Sequence, residues 1–284
     1  MNRRKAEEYF FRVLMFISST IIIMVLLHII YSILKAGLPH LNWDMISKVP
    51  EGGYYFGKGG GILNAIVGSL YVAIGATSLA FAIGLPVALF MNIHLTKWKK
   101  VVNGIRFLMD LLCGIPSIVY GAFGFTLMIF FGLRTSLLAG IITVTVFIVP
   151  IMIRAIDEVL MTIPRGLFES ALSLGSTKSE ISYRVFFKQS IAGIITALLL
   201  SFGRAIGDAA SVLLTTGYTD YIPTSLSQPT ATLPLAIFFQ LSSPILEVRQ
   251  RAYASAVILI AIILFISLLA RILTYSYKKN KINY

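Results

Sequence analysis

Six long apolar runs divide the chain, with short polar segments between them. A bilayer core of about 30 Å takes about 20 apolar helical residues to cross, and each run is long enough for one crossing. Four runs hold no Asp, Glu, Lys or Arg, the third holds only Asp110, and the fifth holds only Arg204 and Asp208. The pattern therefore predicts an all-helical membrane protein with six transmembrane helices, at 13–34, 59–96, 109–133, 135–153, 191–216 and 252–270.

The composition excludes most soluble proteins. Hydrophobic residues make up 57% of the 284 residues and charged residues 13%, whereas an average soluble domain has about 45–50% and about 25%. A soluble globular enzyme and a disordered chain are both incompatible with this balance. The single cysteine, Cys113, leaves no internal disulfide and no cysteine metal cluster, and the three scattered histidines predict no metal site.

The basic residues predict an orientation. The chain has 24 Lys and Arg against 12 Asp and Glu. With the N-terminus inside, the segments 1–12, 97–106, 154–188 and 271–284 hold 17 basic residues, and the outer segments hold 6. Cytoplasmic segments of membrane proteins collect Lys and Arg, so both termini are predicted to be cytoplasmic. The membrane thereby explains most of the positive charge without nucleic acid.

The polar segments are too small for a catalytic domain. The outer segments are predicted at about 36–58 and 217–250. The run Gly52-x4-Gly57-Lys58 looks like a phosphate-binding P-loop, but Gly59 stands where that motif needs Ser or Thr to hold magnesium. The chain is therefore predicted to have no ATPase site and not to be an enzyme.

The inner segment 154–188 predicts a helix, a glycine turn and a second helix. Pro164 suits the first turn of a helix. Gly175 stands where a helix C-terminus needs a left-handed residue. Thr177 and Glu180 have the spacing of a capping box, which begins the second helix.

The same segment resembles the EAA loop of binding-protein-dependent ABC importer permeases, through Glu169-Ser170-Ala171-x-x-x-Gly175. Ser170 replaces the first Ala of that motif, and Lys188 stands where a Pro usually ends it. The resemblance implies that the short helix docks on an ATPase subunit and couples ATP hydrolysis to transport. The coupling residues that it implies are Glu169, Ala171, Leu172 and Gly175.

One polar stripe runs along the predicted fifth helix. Its members are spaced by three and four residues, which places them on one face: Ser201, Arg204, Asp208, Ser211 and Thr215. Arg204 is near the midpoint of 191–216, where an arginine costs roughly 2.5–3.5 kcal/mol to insert. The stripe is therefore predicted to line a substrate path.

Two interpretations of the charged pair remain open. In the functional one, the planar fork of Arg204 binds an oxyanion, while Gly203 and Gly207 allow close approach of the anion or of another helix. In the structural one, Arg204 and Asp208 only neutralise each other, although base-before-acid is the less favourable order at this spacing.

Gly114-Ile-Pro116-Ser117 interrupts the predicted third helix. Pro116 removes one helical hydrogen bond, and the Ser117 hydroxyl can satisfy the freed carbonyl. A simple kink and a segment that lines the path, with Ser117 in it, fit equally well. Asp110 is expected to pair with a neighbouring base such as Arg106.

Three segments resemble the permease subunits of phosphate ABC importers, at 60–70, 114–121 and 203–210. The opening Gly-Gly-Ile-x-x-Ala-Ile pattern and the run Gln-Pro-Thr-Ala-Thr-Leu-Pro at 228–234 favour the PstA type of subunit in that family over the PstC type. The resemblance covers roughly 60–275. Members commonly have Glu at the position of Asp208, so the carboxylate is kept with a side chain one methylene shorter.

This resemblance implies a type I importer permease with the methionine-importer-like fold, in the cell's inner membrane. Residues 1–58 would hold a tail, the first helix and an outer loop, and 59–275 would form a five-helix permease domain with the coupling loop at 157–188, followed by a tail at 276–284. The implied partners are a PstC-type permease, a dimer of PstB-type ATPases and an extracytoplasmic PstS-type phosphate-binding protein. ATP and Mg would bind to the ATPase, with no cofactor in this chain.

Two alternatives to phosphate import remain open. One is a permease of the same architecture for another oxyanion, such as molybdate or sulfate. The other is an intramembrane enzyme, for which Arg204 and Asp208 are the only candidate catalytic groups at membrane depth.

Overall fold

The computed structural model describes residues 3–52 and 59–279, with side chains for 7–52 and 59–272. The P-loop-like run therefore lies mostly outside the described residues. Over the described ranges the chain is helical and has no strand, only an isolated bridge between Pro50 and Gly60. The α-helices are α1 Arg3–Gly37, α2 Trp43–Ser47, α3 Leu63–Leu89, α4 Lys99–Gly114, α5 Ser117–Phe130, α6 Leu137–Met161, α7 Arg165–Ser173, α8 Lys178–Glu180, α9 Lys188–Gly207, α10 Leu233–Leu241 and α11 Leu246–Lys279.

The helices α3 and α6 form the centre of the bundle. Small side chains of α3 are fully buried, among them Ala73, Ala76 and Ala80, and they belong to the same core cluster as Ile148 and Met152 of α6. Small residues let two helices approach closely, so that large side chains of one fill the space left by the other. α9 packs against both helices of this pair, and α11 packs against α9. α1 packs against α11, and its apolar segment is otherwise exposed in the single chain.

The prediction of an all-helical protein with six apolar crossings is confirmed. Five described helices are long and apolar enough to cross a membrane, and the bent pair α4 and α5 makes six if it counts as one span. A π-helical turn at Phe90–His94 extends α3, and another at Ile181–Phe187 joins α8 to α9.

The third predicted helix is broken rather than kinked. α4 and α5 meet at 94°, because Ile115 and Pro116 are extended and Pro116 has no N–H to donate. The hydroxyl of Tyr120, rather than of Ser117, donates to the carbonyl of Leu112 across the break, at 2.9 Å. α5 alone is about 21 Å long, shorter than the bilayer core.

The fifth predicted helix has the wrong bounds. It is continuous from Lys178 to Gly207 and stops before Asp208, whose backbone is extended at ψ 121°. The Asp208 carboxylate accepts the N–H of Ser211 at 2.8 Å and so begins a separate run of turns that ends at Thr216. The single polar stripe is therefore wrong, since Ser211 is not on the helix that carries Arg204.

The outer segment predicted at 217–250 is partly inside the bundle. Residues 230–236 are buried, and α10 begins among them at Leu233. The N–H of Leu233 donates to Oγ of Ser69 on α3 at 2.7 Å, and a Cβ on Gly68 would collide with the carbonyl of Ala231. This segment enters the bundle because it is apolar, and Pro234 suits the first turn of its helix.

Candidate functional site: an anion path and a coupling surface

Arg204 is an exposed cation supported by an aromatic ring. It lies in the last turn of α9, and its guanidinium carbon is 5.5 Å from the ring centroid of Phe147 on α6. Phe147 is 4% exposed, and its ring also contacts Tyr120 of α5 at 5.5 Å. Such a cation–π contact is worth about 0.5–2 kcal/mol, more as water is excluded. The three helices α5, α6 and α9 together fix where this positive charge lies.

The expected ion pair between Arg204 and Asp208 is not formed among the described residues. Asp208 is half-buried, and its Oδ2 atom accepts the N–H of Ser211. The carboxylate is bound to the turn that follows α9, and it does not neutralise the charge of Arg204 in the last turn of α9. The structural interpretation of the pair is therefore wrong, and the guanidinium is left with its donors available.

Two glycines, Gly203 and Gly207, lie beside Arg204 on α9. A Cβ atom on Gly203 or on Gly207 would meet nothing within 4 Å. Gly207 is exposed and Gly203 half-buried, and glycines at a helix surface allow the close approach of another backbone or of a small anion. The end of α9 thus presents a positive charge on an open, shallow surface of the single chain.

The remaining residues of the predicted path differ in accessibility. Ser117 is half-buried at the start of α5. Ser201, Ser211 and Thr215 are fully buried. The hydroxyl of Ser201 donates to the sulfur of Met152 at 3.7 Å, that of Thr215 donates to the carbonyl of Ser211, and Oγ of Ser211 has no partner. These three hydroxyls reach a substrate only if the packing around them opens.

The predicted helix, glycine turn and second helix are confirmed at 165–180. Gly175 has φ +81° and ends α7 in a Schellman arrangement, in which the N–H groups of Gly175 and Ser176 donate to the carbonyls of Leu172 and Ala171. Thr177 and Glu180 form the capping box in both directions.

The short helix α7 presents apolar side chains to solvent. No residue of α7 is fully buried, and Leu174 just beyond it is 86% exposed. Leu172 and Glu169 are also exposed, while Ala171 packs against the core. The ring of Phe168 meets that of Phe186 edge-on and holds the helix to the bundle. An ordered helix with an exposed apolar tip is typical of a surface that binds another protein.

A cluster of charges lies at the α7 end of the bundle, and the sequence analysis predicted two of its members, Asp110 and Arg106, but not Asp157 or the correct pairing. Asp157 of α6 is fully buried, and Arg106 of α4 donates to both of its oxygens, at 2.8 and 2.9 Å. The expected pairing of Asp110 with Arg106 is wrong: Asp110 accepts from Arg154 of α6 at 2.7 Å. The spacing of the acids and bases on α4 and α6 was visible in the sequence, but their helices are 44 or more residues apart. Among the described residues no group of His, Cys, Asp and Glu is placed to hold a metal ion.

The comparisons with known proteins identify the class. Residues 84–280 match the family model of the binding-protein-dependent transport system inner membrane component, and the chain belongs to this family of permeases. Solved structures of the same fold include an inward-facing MetNI methionine ABC transporter, with a TM-score of 0.63 and 18% identity over 76% of this chain and 95% of the other. A bacterial alginate ABC transporter gives a TM-score of 0.62 and 17% identity over 96% and 99%. The methionine-importer-like permease fold is thereby confirmed.

Curated relatives narrow the class to the phosphate transport system permease proteins PstA. The protein of that name from Yersinia pestis is 33% identical over 225 residues, which are 78% of this chain and 75% of the relative. The one from Haemophilus influenzae is 27% identical over 279 residues, 97% and 96% of the two chains. The chain is therefore grouped with the PstA permeases, as the Gly-Gly-Ile-x-x-Ala-Ile pattern that opens at Gly60 and the run at 228–234 indicated.

Proposed function

We propose that this chain is the permease subunit of an ATP-driven importer of inorganic phosphate. Its relatives are phosphate transport permeases, and ATP hydrolysis belongs to a partner subunit. The assignment to a site rests on the guanidinium of Arg204, which is exposed beside two glycines and, among the described residues, has no carboxylate paired to it. A second permease against this surface would enclose the path between the two chains.

The chemistry of the site suits a phosphate that keeps a proton. The planar fork of Arg204 donates two parallel hydrogen bonds to an oxyanion, and Phe147 holds the fork without consuming its donors. One oxygen of Asp208 accepts the N–H of Ser211, and the other, to which no donor among the described residues is assigned, would accept the phosphate hydroxyl. Sulfate has no such proton near neutral pH and would meet only repulsion from the carboxylate, so it is rejected.

The partners and the orientation belong to the same proposal. Both termini lie in the cytoplasm of a cell with an extracytoplasmic binding protein, and the chain pairs with a PstC-type permease. Two ATPase subunits bind ATP and Mg and contact the coupling residues, among which Glu169 and Leu172 are exposed and Gly175 sets the turn. The α7 end of the bundle therefore faces the ATPases, and α10 lies near the opposite, outer face.

Uptake of radiolabelled phosphate by variants of Arg204 tests the proposal. Arg204→Gln should lower uptake at least 100-fold, because it removes both the charge and the fork. Arg204→Lys should restore little of it, because an ammonium keeps the charge without the fork. The matched control is Arg134→Gln on the exposed segment between α5 and α6, which should transport normally. Near-normal uptake by Arg204→Gln in assembled importers would refute this site.

Competition by other oxyanions tests the role of Asp208. The wild-type protein should exclude sulfate and molybdate at concentrations that saturate phosphate uptake. Asp208→Asn should reduce phosphate uptake and exclude sulfate less well, because the repulsive charge is gone while the amide oxygen still accepts the N–H of Ser211. If sulfate or molybdate competed with phosphate equally in the wild type, the substrate would be another oxyanion.

A further inference from the structure

The charge cluster described above is a reciprocal clamp between two helices. α4 contributes Arg106 and Asp110, and α6 contributes Arg154 and Asp157. Arg106 of α4 pairs with Asp157 of α6, while Arg154 of α6 pairs with Asp110 of α4. Each helix thus supplies one base and one acid to the other.

Asp157 is the fixed point of this clamp. Its Oδ1 atom accepts from Asn92 at 2.7 Å and from Arg106 at 2.9 Å, and its Oδ2 atom accepts from Arg106 at 2.8 Å and from Arg154 at 3.0 Å. Asn92 lies in the π-helical turn that extends α3 and also donates to the carbonyl of Ala88. A buried carboxylate with four donors has all its acceptor sites filled. Through these bonds the carboxylate of Asp157 on α6 connects α4 and the π-helical end of α3.

One side of the clamp borders the proposed ATPase surface. A cleft of about 490 Å³ lies where α4 begins and α6 ends, and Arg106 lines it together with Phe168 and Glu169 of α7. A displacement of α7 therefore changes the wall of the cleft opposite Arg106, the residue that is paired with Asp157.

The other side of the clamp leads to Arg204. α4 continues to Leu112, whose carbonyl accepts the hydroxyl of Tyr120 across the α4–α5 break. The ring of Tyr120 contacts that of Phe147, and Phe147 supports Arg204. The contacts from α4 to the proposed anion site are thus continuous.

We infer that Asp157 is a positioning residue, which makes α4 and α6 move as one body so that a displacement of α7 reaches the α4–α5 break and Arg204. The inference rests on the proposed function, since it assigns to this cluster the coupling of ATP hydrolysis to phosphate movement. Stability alone does not require a buried ion pair, because well-packed apolar residues of similar volume commonly replace one without loss.

The experiment measures phosphate imported per ATP hydrolysed, by the complete importer with its binding protein in proteoliposomes. Asp157→Asn should lower this ratio at least 10-fold while ATP is still hydrolysed. The control Glu158→Gln makes the same carboxylate-to-amide change one residue further on, at a side chain that also pairs with Arg154 but is 64% exposed. It should stay within twofold of the wild type.

The double variant Arg106→Met/Asp157→Leu separates positioning from stability. It removes the Arg106–Asp157 pair of the clamp without leaving a buried charge unpaired, since Arg154 keeps Asp110 and Glu158, so the importer should assemble. Its ratio of phosphate to ATP should remain as low as that of Asp157→Asn. A double variant that regains wild-type coupling, or that does not assemble, would show that the cluster serves stability only and would overturn the inference, as would normal coupling by Asp157→Asn. If the wild-type importer itself moved no phosphate, the proposed function would fail instead.

Discussion

The role of Arg204 depends on which group it contacts. A membrane arginine four residues before an aspartate suggests a self-neutralising pair, yet Asp208 caps the next turn and Arg204 lies over Phe147. An aromatic ring fixes the direction of a guanidinium without occupying its N–H donors. The cation therefore stays available to a passing anion.

Gly175 is the residue for which backbone conformation gives the sharpest prediction. Its φ of +81° is disfavoured for residues with a Cβ, by about 1–2 kcal/mol, although a Cβ there would have open space. Gly175→Val should therefore change the angle between α7 and α8 without a clash. We expect the variant to remain in the membrane but to lose most phosphate uptake, as measured with radiolabelled phosphate, while binding-protein-stimulated ATP hydrolysis is uncoupled from it.

The control for Gly175→Val is Gly166→Ala. Gly166 is the second residue of α7, also with open space around it, and its φ is in the ordinary range. Alanine is a better helix former than glycine and fits in this space, so this variant should transport normally. Normal coupled transport by Gly175→Val would show that the left-handed turn plays no part in coupling.

At the scale of elements, α10 depends on one glycine of α3. Gly68 lies where the backbone of Ala231 crosses α3, and the carbonyl there leaves no space for a Cβ. Because Ala231 is fully buried and its neighbour Leu233 is bonded to Ser69, the segment cannot shift outward easily.

Gly68→Ala should therefore destabilise the protein by about 1–3 kcal/mol, the usual cost of overpacking. The matched control is Gly104→Ala in the interior of α4, where a Cβ meets nothing within 4 Å. We expect thermal unfolding in detergent to occur at a lower temperature for Gly68→Ala and at an unchanged or slightly higher one for Gly104→Ala. Equal Tm values for both variants would mean that α10 is free to move away from α3.

At the scale of the whole molecule, the bias of basic residues predicts that both termini and α7 are cytoplasmic. Reporters fused after Lys5 and after Lys279 should read inside. A reporter inserted at Tyr221, which is 77% exposed, should read outside. The measurement needs only the intact chain in its membrane, with a reporter that is active on one side.

If the reporter after Lys279 read outside, the C-terminus would be extracytoplasmic and the α7 end of the bundle would face the outside. The segment 157–188 would then face away from the compartment that holds ATP, and the coupling role of Gly175 and Glu169 would be excluded. An outside reading at Tyr221 together with two inside readings would support every partner contact proposed for the α7 end.

The sequence by itself determined the features that depend on local chemistry. The crossings follow from apolar run length, and α7, its left-handed Gly175 and the Thr177 capping box follow from preferences that act within a few residues. The importance of Arg204 followed from the cost of a charge in an apolar run. The Asp208 turn had a local signal too, a glycine followed by a capping residue, but apolar residues on both sides hid it.

Only the tertiary structure decided which distant groups meet. The entry of 230–241 into the bundle depends on the space above Gly68, and the carbonyl of Leu112 at the 94° break is satisfied by Tyr120 rather than by Ser117. The pairing of Arg106 with Asp157 rather than with Asp110 depends on α4 lying against α6. In this ion pair Arg106 has a near acid, Asp110, and a distant one, Asp157. It pairs with the distant one because Asp157 is buried, and a buried carboxylate without a partner is costly.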